Sequence, residues 1–157
     1  MSFPKPDQEV LSPRSASASG KHPTIVVCPG FETRIWRYER LAAHLTDWLP
    51  EFVFRPEDLP PEIVNTTAIR KLMERAVNHL YDENTKTSRG ELGELLLHVT
   101  CRQFCNTFPA VSKLFYKTST NEVVKGFDIA HVRMKTESEV ELWLGEAWPD
   151  GFFVPAR

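Results

Sequence analysis

An α/β or α+β domain is predicted by three features: one short β-branched run near the start, three stretches with helical periodicity, and three strand-like runs near the end. The chain has 157 residues, the size of one domain. Apolar residues make up 41% of it, including four Trp and ten Phe, so one core can be buried. That composition excludes collagen-like, coiled-coil and wholly disordered chains.

The elements follow in order. Residues 1–22 carry the run Ser15-Ala16-Ser17-Ala18-Ser19-Gly20 without any period, which reads as a flexible leader, leaving residues 23–157 as a single domain. Thr24-Ile25-Val26-Val27-Cys28 reads as a buried strand stopped by Pro29-Gly30. Tyr38, Leu41, Ala42, Leu45, Trp48 and Leu49 recur at helical spacing, with Pro50 as the expected stop. A second helix carries the stripe Ile69, Leu72, Met73, Ala76, Val77, Leu80 and Tyr81, with Asn65, Thr66 or Thr67 as its cap. The turn-rich connector Arg55–Pro61 separates the two. A third helix starts near Gly90 and runs through Leu92, Leu95, Leu96 and Val99 toward Phe104. The strands Lys113–Thr118, Val123–Val132 and Glu139–Glu146, with turn signals at Thr120-Asn121 and Lys135-Thr136, predict a three-stranded antiparallel meander.

Several function classes fall away at once. No run of eighteen apolar residues spans a membrane, and the N-terminus lacks a secretory h-region. Three cysteines without a CxxC pair fit a reduced, cytoplasmic protein. The net charge of -2 means that contact with nucleic acid needs a local basic patch. His44, His79, His98 and His131 lack zinc-ligand spacing. Cys101 and Cys105 sit among aromatic residues with no basic partner in view, which reads as packing. Arg34, Arg37 and Arg40 read as a solvated helix face that is also able to touch phosphates.

The acids are the candidate chemistry. Glu91 and Glu94 open the third helix, where capping and ligand roles both remain open. Gly93 between them costs about 1 kcal/mol relative to Ala in a helix interior, so something is expected to approach the backbone there. Asp128 lies in an apolar run and needs either a cation (Lys113, Lys117 or Arg102) or a metal. Glu146 falls in phase with Val140, Leu142 and Leu144, taken as the buried face. Carboxylates converging from one helix and two strands form the oxygen set that Mg²⁺ prefers, and such an ion assists phosphodiester hydrolysis.

The stretches Arg89-Gly90-Glu91-Leu92-Gly93-Glu94-Leu95-Leu96-Leu97, Ser112-Lys113, Lys117-Thr118-Ser119, Val124-Lys125-Gly126-Phe127-Asp128 and Leu142-Trp143-Leu144-Gly145-Glu146-Ala147 together resemble the HamA/AbpA C-terminal-domain family of anti-phage defence proteins. Gly30-Phe31-Glu32 and Asp47-Trp48-Leu49-Pro50-Glu51-Phe52 fit the same family. The resemblance implies a restriction-endonuclease-like core of the PD-(D/E)XK type, a Mg²⁺ or Mn²⁺ cofactor, DNA as the nucleic acid, and a helicase partner of the HamB type. It implies Glu94, with Glu91 as the alternative, for the helical acid, Asp128 for the strand acid and Glu146 for the third motif, with the Ala147 carbonyl near the metal. The lysine of that motif is replaced by Trp148, so Lys113 or Lys117 would have to stand in as a migrated cation. The family pattern ends at this point, which makes the C-terminal part of the fold the part expected to be missing. The resemblance thus leaves two function classes: an impaired metal-dependent nuclease domain, or a non-catalytic helicase-partner or nucleic-acid-binding module.

Overall fold

A computed structural model describes residues 6, 10–17, 23–55, 58, 65–80, 88–111, 127–148 and 151–153. The expected strand Lys113–Thr118, the turn at Thr120-Asn121 and the segment Val123–Gly126 lie outside them. The fold is mixed, three helices and antiparallel sheets, as the element order predicts. It divides into two compact units, Lys5–Asp47 and Trp48–Arg157 (the latter together with Met1–Pro4).

In the first unit β1 (Ser12–Ser17) pairs antiparallel with β2 (Thr24–Cys28). Part of the expected leader is therefore a strand. Its Ser/Ala run has little strand propensity of its own and is held by a partner, with the Ser12 hydroxyl donating to the Cys28 carbonyl at 3.3 Å. The pair forms a two-stranded sheet, so β2 is exposed over Thr24–Val26 and only half-buried at Val27 and Cys28. The expectation of a buried strand fails because, among the described residues, no further strand joins this sheet. A second ribbon follows, β3 (Phe31–Glu32) and β4 (Ile35–Trp36), with Phe31 opposite Trp36 and Glu32 opposite Ile35. Its two turn residues, Thr33 and Arg34, have φ of 50° and 66°. Positive φ at both central positions is the requirement of a type I′ hairpin turn, and glycine or asparagine usually supplies it.

The first helix, α1 (Tyr38–Val53), crosses the division between Asp47 and Trp48. It does not stop at Pro50. Proline removes one helical N–H, but Phe52 and Val53 beyond it are buried, as Leu49 is before it, and Phe54 N donates to the Pro50 carbonyl at 3.0 Å.

In the second unit α2 (Thr66–Leu80) starts on the Asn65 side chain, which accepts from Ala68 N at 2.9 Å. Among the described residues of its expected stripe Leu72 and Ala76 are buried and Met73 is half-buried, whereas Ile69 and Val77 are exposed, and Tyr81 lies outside the described residues. The third helix, α3 (Ser88–Phe104), matches its expected span. Buried Glu91, Glu94, Leu95, Leu97, His98, Val99, Cys101 and Arg102 surround most of its circumference, although Leu92 faces solvent.

The meander is present with different membership. It contains β5 (Phe108–Val111), β6 (Ile129–Met134), β7 (Val140–Trp148) and β8 (Gly151–Phe153) in sequential antiparallel order. The turn at Lys135-Thr136 forms as expected, both amides donating to the Glu139 carbonyl. The phase of β7, however, is the reverse of the one the apolar pattern suggested. Val140 and Leu142 are 56% and 48% exposed, while Trp143 and Gly145 are buried. The inner face is chosen by small residues: Leu97, Cys101 and Ile129 form a core cluster against which Ala147 packs.

Gly145 is the tightest point of that packing. A Cβ there would lie 2.8 Å from Ile129 Cγ1 and 3.2 Å from Leu97 Cδ2. Gly145→Ala is therefore expected to destabilise the protein by about 1–3 kcal/mol, because a branched side chain in a filled core must move. A chemical-denaturation midpoint equal to that of the parent chain would contradict this packing.

Candidate functional site

The acids meet the sheet around Ala147. Asp128 precedes β6; its N–H donates to the Gly145 carbonyl at 2.8 Å, and its Oδ2 accepts from Ala147 N at 2.7 Å. Its carboxylate thus lies at the peptide nitrogen that links Glu146 to Ala147. The cost of placing a carboxylate in an apolar run is met here by a backbone donor. On α3 the gap left by Gly93 faces this point, since a Cβ at position 93 would lie 3.4 Å from the Ala147 methyl. The approach that Gly93 implied is made by β7.

Glu91 and Glu94 are both buried on α3, more deeply than caps at a solvated helix end. Glu146 is half-buried. By strand alternation it shares the face of Leu142 and Leu144, opposite the Gly145 and Ala147 face that packs on α3. The helical acids and the Glu146 side chain therefore flank the sheet from opposite sides. Among the described residues no three His, Cys, Asp or Glu side chains are grouped to hold a metal ion. The chemistry of these oxygens suits Mg²⁺. Lys113 and Lys117 lie outside the described residues, and Trp148 ends β7 at 62% exposure.

Arg102, one expected partner of Asp128, is used elsewhere. Its Nε and Nη2 donate to Glu51 Oε1 and Oε2 at 2.5 and 3.2 Å, and its Nη1 donates to the Thr107 carbonyl at 2.9 Å. His98 Nε2 lies 3.3 Å from Glu51 Oε1, His98 Nδ1 is 3.1 Å from His131 Nε2, and His131 Nδ1 is 2.8 Å from Thr107 Oγ1. All five residues are buried, and the contacts close a ring joining α1, α3, β6 and the residue before β5.

Donor logic orients this ring. The Glu51 carboxylate only accepts, so His98 carries its proton on Nε2 and accepts on Nδ1. His131 then donates from Nε2, and the Thr107 hydroxyl donates to His131 Nδ1. This arrangement has both imidazoles neutral. Burial lowers the His98 pKa against the pull of Glu51, and burial with the nearby charge of Arg102 pushes His131 down to about 2. Burial alone would raise the Glu51 carboxyl, but hydrogen bonds from His98 and Arg102 hold it below its ordinary value. Trp48 and Phe108 also lie under the Arg102 guanidinium, at 5.6 and 4.6 Å.

Histidine spacing gave no sign of this network, because its members are far apart in sequence. At the end of α3, Cys101 packs in the core as expected. The half-buried Cys105 thiol is lowered to about 7, by a hydrogen bond from Cys101 and by the charge of Arg133, against its burial.

A helix bearing buried acids, laid on an antiparallel meander whose neighbouring strands are tied by an aspartate, defines an α+β domain with an acidic helix–sheet junction. The chain belongs to the HamA family, whose profile matches residues 7–147. It is also similar to Anti-bacteriophage protein A of Escherichia coli strain K12, with 27% identity over 130 residues, covering 83% of this chain. It spans 23% of that relative's length. No solved structure matches the chain. Among the described residues, no helix is long and apolar enough to cross a membrane.

Proposed function

We propose that this chain serves anti-phage defence as a nuclease-type scaffold that does not itself hydrolyse phosphodiester bonds. Family membership and the similarity to a protein named for action against bacteriophage support the defence role. The observation that carries the second part is the junction at Ala147. Asp128 is committed to a backbone N–H there, Glu146 lies on the opposite face from α3, and Trp148 stands where the PD-(D/E)XK pattern has lysine. An indole carries no charge to steady an attacking water or a phosphate. Loss of one such electrostatic stabiliser costs about 10²–10³-fold in rate. The chain's partners in this reading are DNA and a helicase of the HamB type, expected to co-purify with it.

The test incubates the unaltered chain with linear and plasmid DNA in Mg²⁺ or Mn²⁺. Cleavage no faster than the protein-free blank is expected. Metal-dependent cleavage that disappears in Asp128→Ala would overturn the reading and favour an active nuclease, with Lys113 or Lys117 as the migrated cation.

A further inference from the structure

We propose that the first unit, Lys5–Asp47, carries a binding surface for single-stranded nucleic acid, formed by Arg14, Arg34 and Arg37 with the rings of Phe31 and Trp36. This goes beyond the proposed function and requires no hydrolysis.

The charge arrangement points to an anion. At Gly30, with φ +82°, a Cβ would lie 3.1 Å from Arg14 Nη2 and 3.9 Å from Arg37 Nη1, so both guanidiniums pack against the glycine. Arg37 is anchored there by donating from Nη1 to the Pro29 carbonyl at 3.2 Å, while its backbone N donates to the Gly30 carbonyl at 3.1 Å. Arg14 and Arg34 are exposed, and among the described residues neither forms an ion pair with a carboxylate, whereas Arg40 is paired with Glu32. Like charges brought together without a carboxylate repel, and a phosphate relieves that repulsion with bidentate geometry. Such a patch stands out in a chain of net charge -2.

The aromatic arrangement points to bases. Phe31 and Trp36 are cross-strand partners, so their rings share one face of the ribbon, and they remain 67% and 45% exposed. Arg34 occupies the hairpin tip with φ of 66°, a conformation that glycine would hold without strain. Aromatic rings beside guanidiniums are what single strands use, stacking bases while phosphates take the cations. A duplex keeps its bases inside and has no use for exposed rings.

The full chain is titrated in EDTA against a fluorescein-labelled oligo(dT) of about 15 nucleotides, and anisotropy is read. EDTA separates this result from any nuclease assay. Expected is binding that falls steeply as salt rises from about 50 to 200 mM, and that is about tenfold or more weaker in Trp36→Ala and in Arg14→Ala. Both side chains are exposed, so circular dichroism should not change. Arg34→Gly relieves the turn and removes a cation, so it should raise the melting temperature while weakening binding. Absence of binding at low salt, or affinity retained in Trp36→Ala and Arg34→Gly, overturns the proposal. A duplex of equal length bound as tightly as the single strand also overturns it. So does a concentration-dependent dimer abolished by Trp36→Ala, which would assign the surface to a second copy of the chain.

Discussion

Arg102→Met is expected to destabilise the second unit by about 3–5 kcal/mol, enough to leave many domains of this size largely unfolded at 37 °C. The reason is what remains after the substitution. Glu51 is almost fully buried and its two oxygens take the Arg102 fork, so its charge would lose its principal counter-ion. The Thr107 carbonyl would lose its donor as well. Glu51→Leu combined with Arg102→Met should recover much of the loss, since an apolar pair of similar volume needs no compensation for buried charge. Denaturant unfolding of the two variants would show this. A single variant as stable as the parent would mean that the pair contributes nothing.

Acid should loosen the same region well before ordinary carboxylates titrate. His98 and His131 have folded pKa values below the unfolded value of 6.5. Groups depressed in this way contribute stability that is present above pH 6.5 and is lost as pH falls toward the folded values. At pH 5 His131, still neutral in the folded state, costs about 2 kcal/mol relative to the unfolded chain, and the lowered pKa of His98 adds to the loss in the same direction. Glu51 adds to the loss at still lower pH, because its carboxyl is also held below its ordinary value. The folding free energy from urea titrations at pH 8 and pH 5 measures this. Equal values would show that both histidines accept a proton within the folded protein.

How far the fold could be read from sequence depended on how local its causes are. All three helices were legible because apolar spacing within each is visible on its own, while the cap of α2 was narrowed to Asn65, Thr66 or Thr67, of which Asn65 serves. Pro50 misled because a local cost was outweighed by the burial of Leu49, Phe52 and Val53. The phase of β7 misled for a similar reason. Leu142 and Leu144 look like core residues in isolation, yet the close approach of α3 requires small groups. Gly93, Gly145 and Ala147 were the signal that could have reversed the choice. β1 was hidden because only pairing with β2 makes a strand of a Ser/Ala run.

The candidate site was legible as a location and less so as a geometry. Gly93 implied a close approach, and Ala147 makes it. Asp128 needed a partner, and the partner is a backbone amide of β7, which no side-chain spacing reveals. The Glu51–Arg102 pair joins residues 51 positions apart, and no periodicity links them.

Whether the acidic junction assembles a metal site is decided most directly by thermal melts of the unaltered chain across a Mn²⁺ titration, with EDTA as the reference. An ion bound by the folded state alone raises stability by about 2.7 kcal/mol at one hundred times its dissociation constant. With Asp128 held by Ala147 N–H and Glu146 facing away from α3, the midpoint is expected to stay where EDTA leaves it. A midpoint that climbs with Mn²⁺, and fails to climb in Asp128→Ala, would contradict that geometry and restore the metal centre.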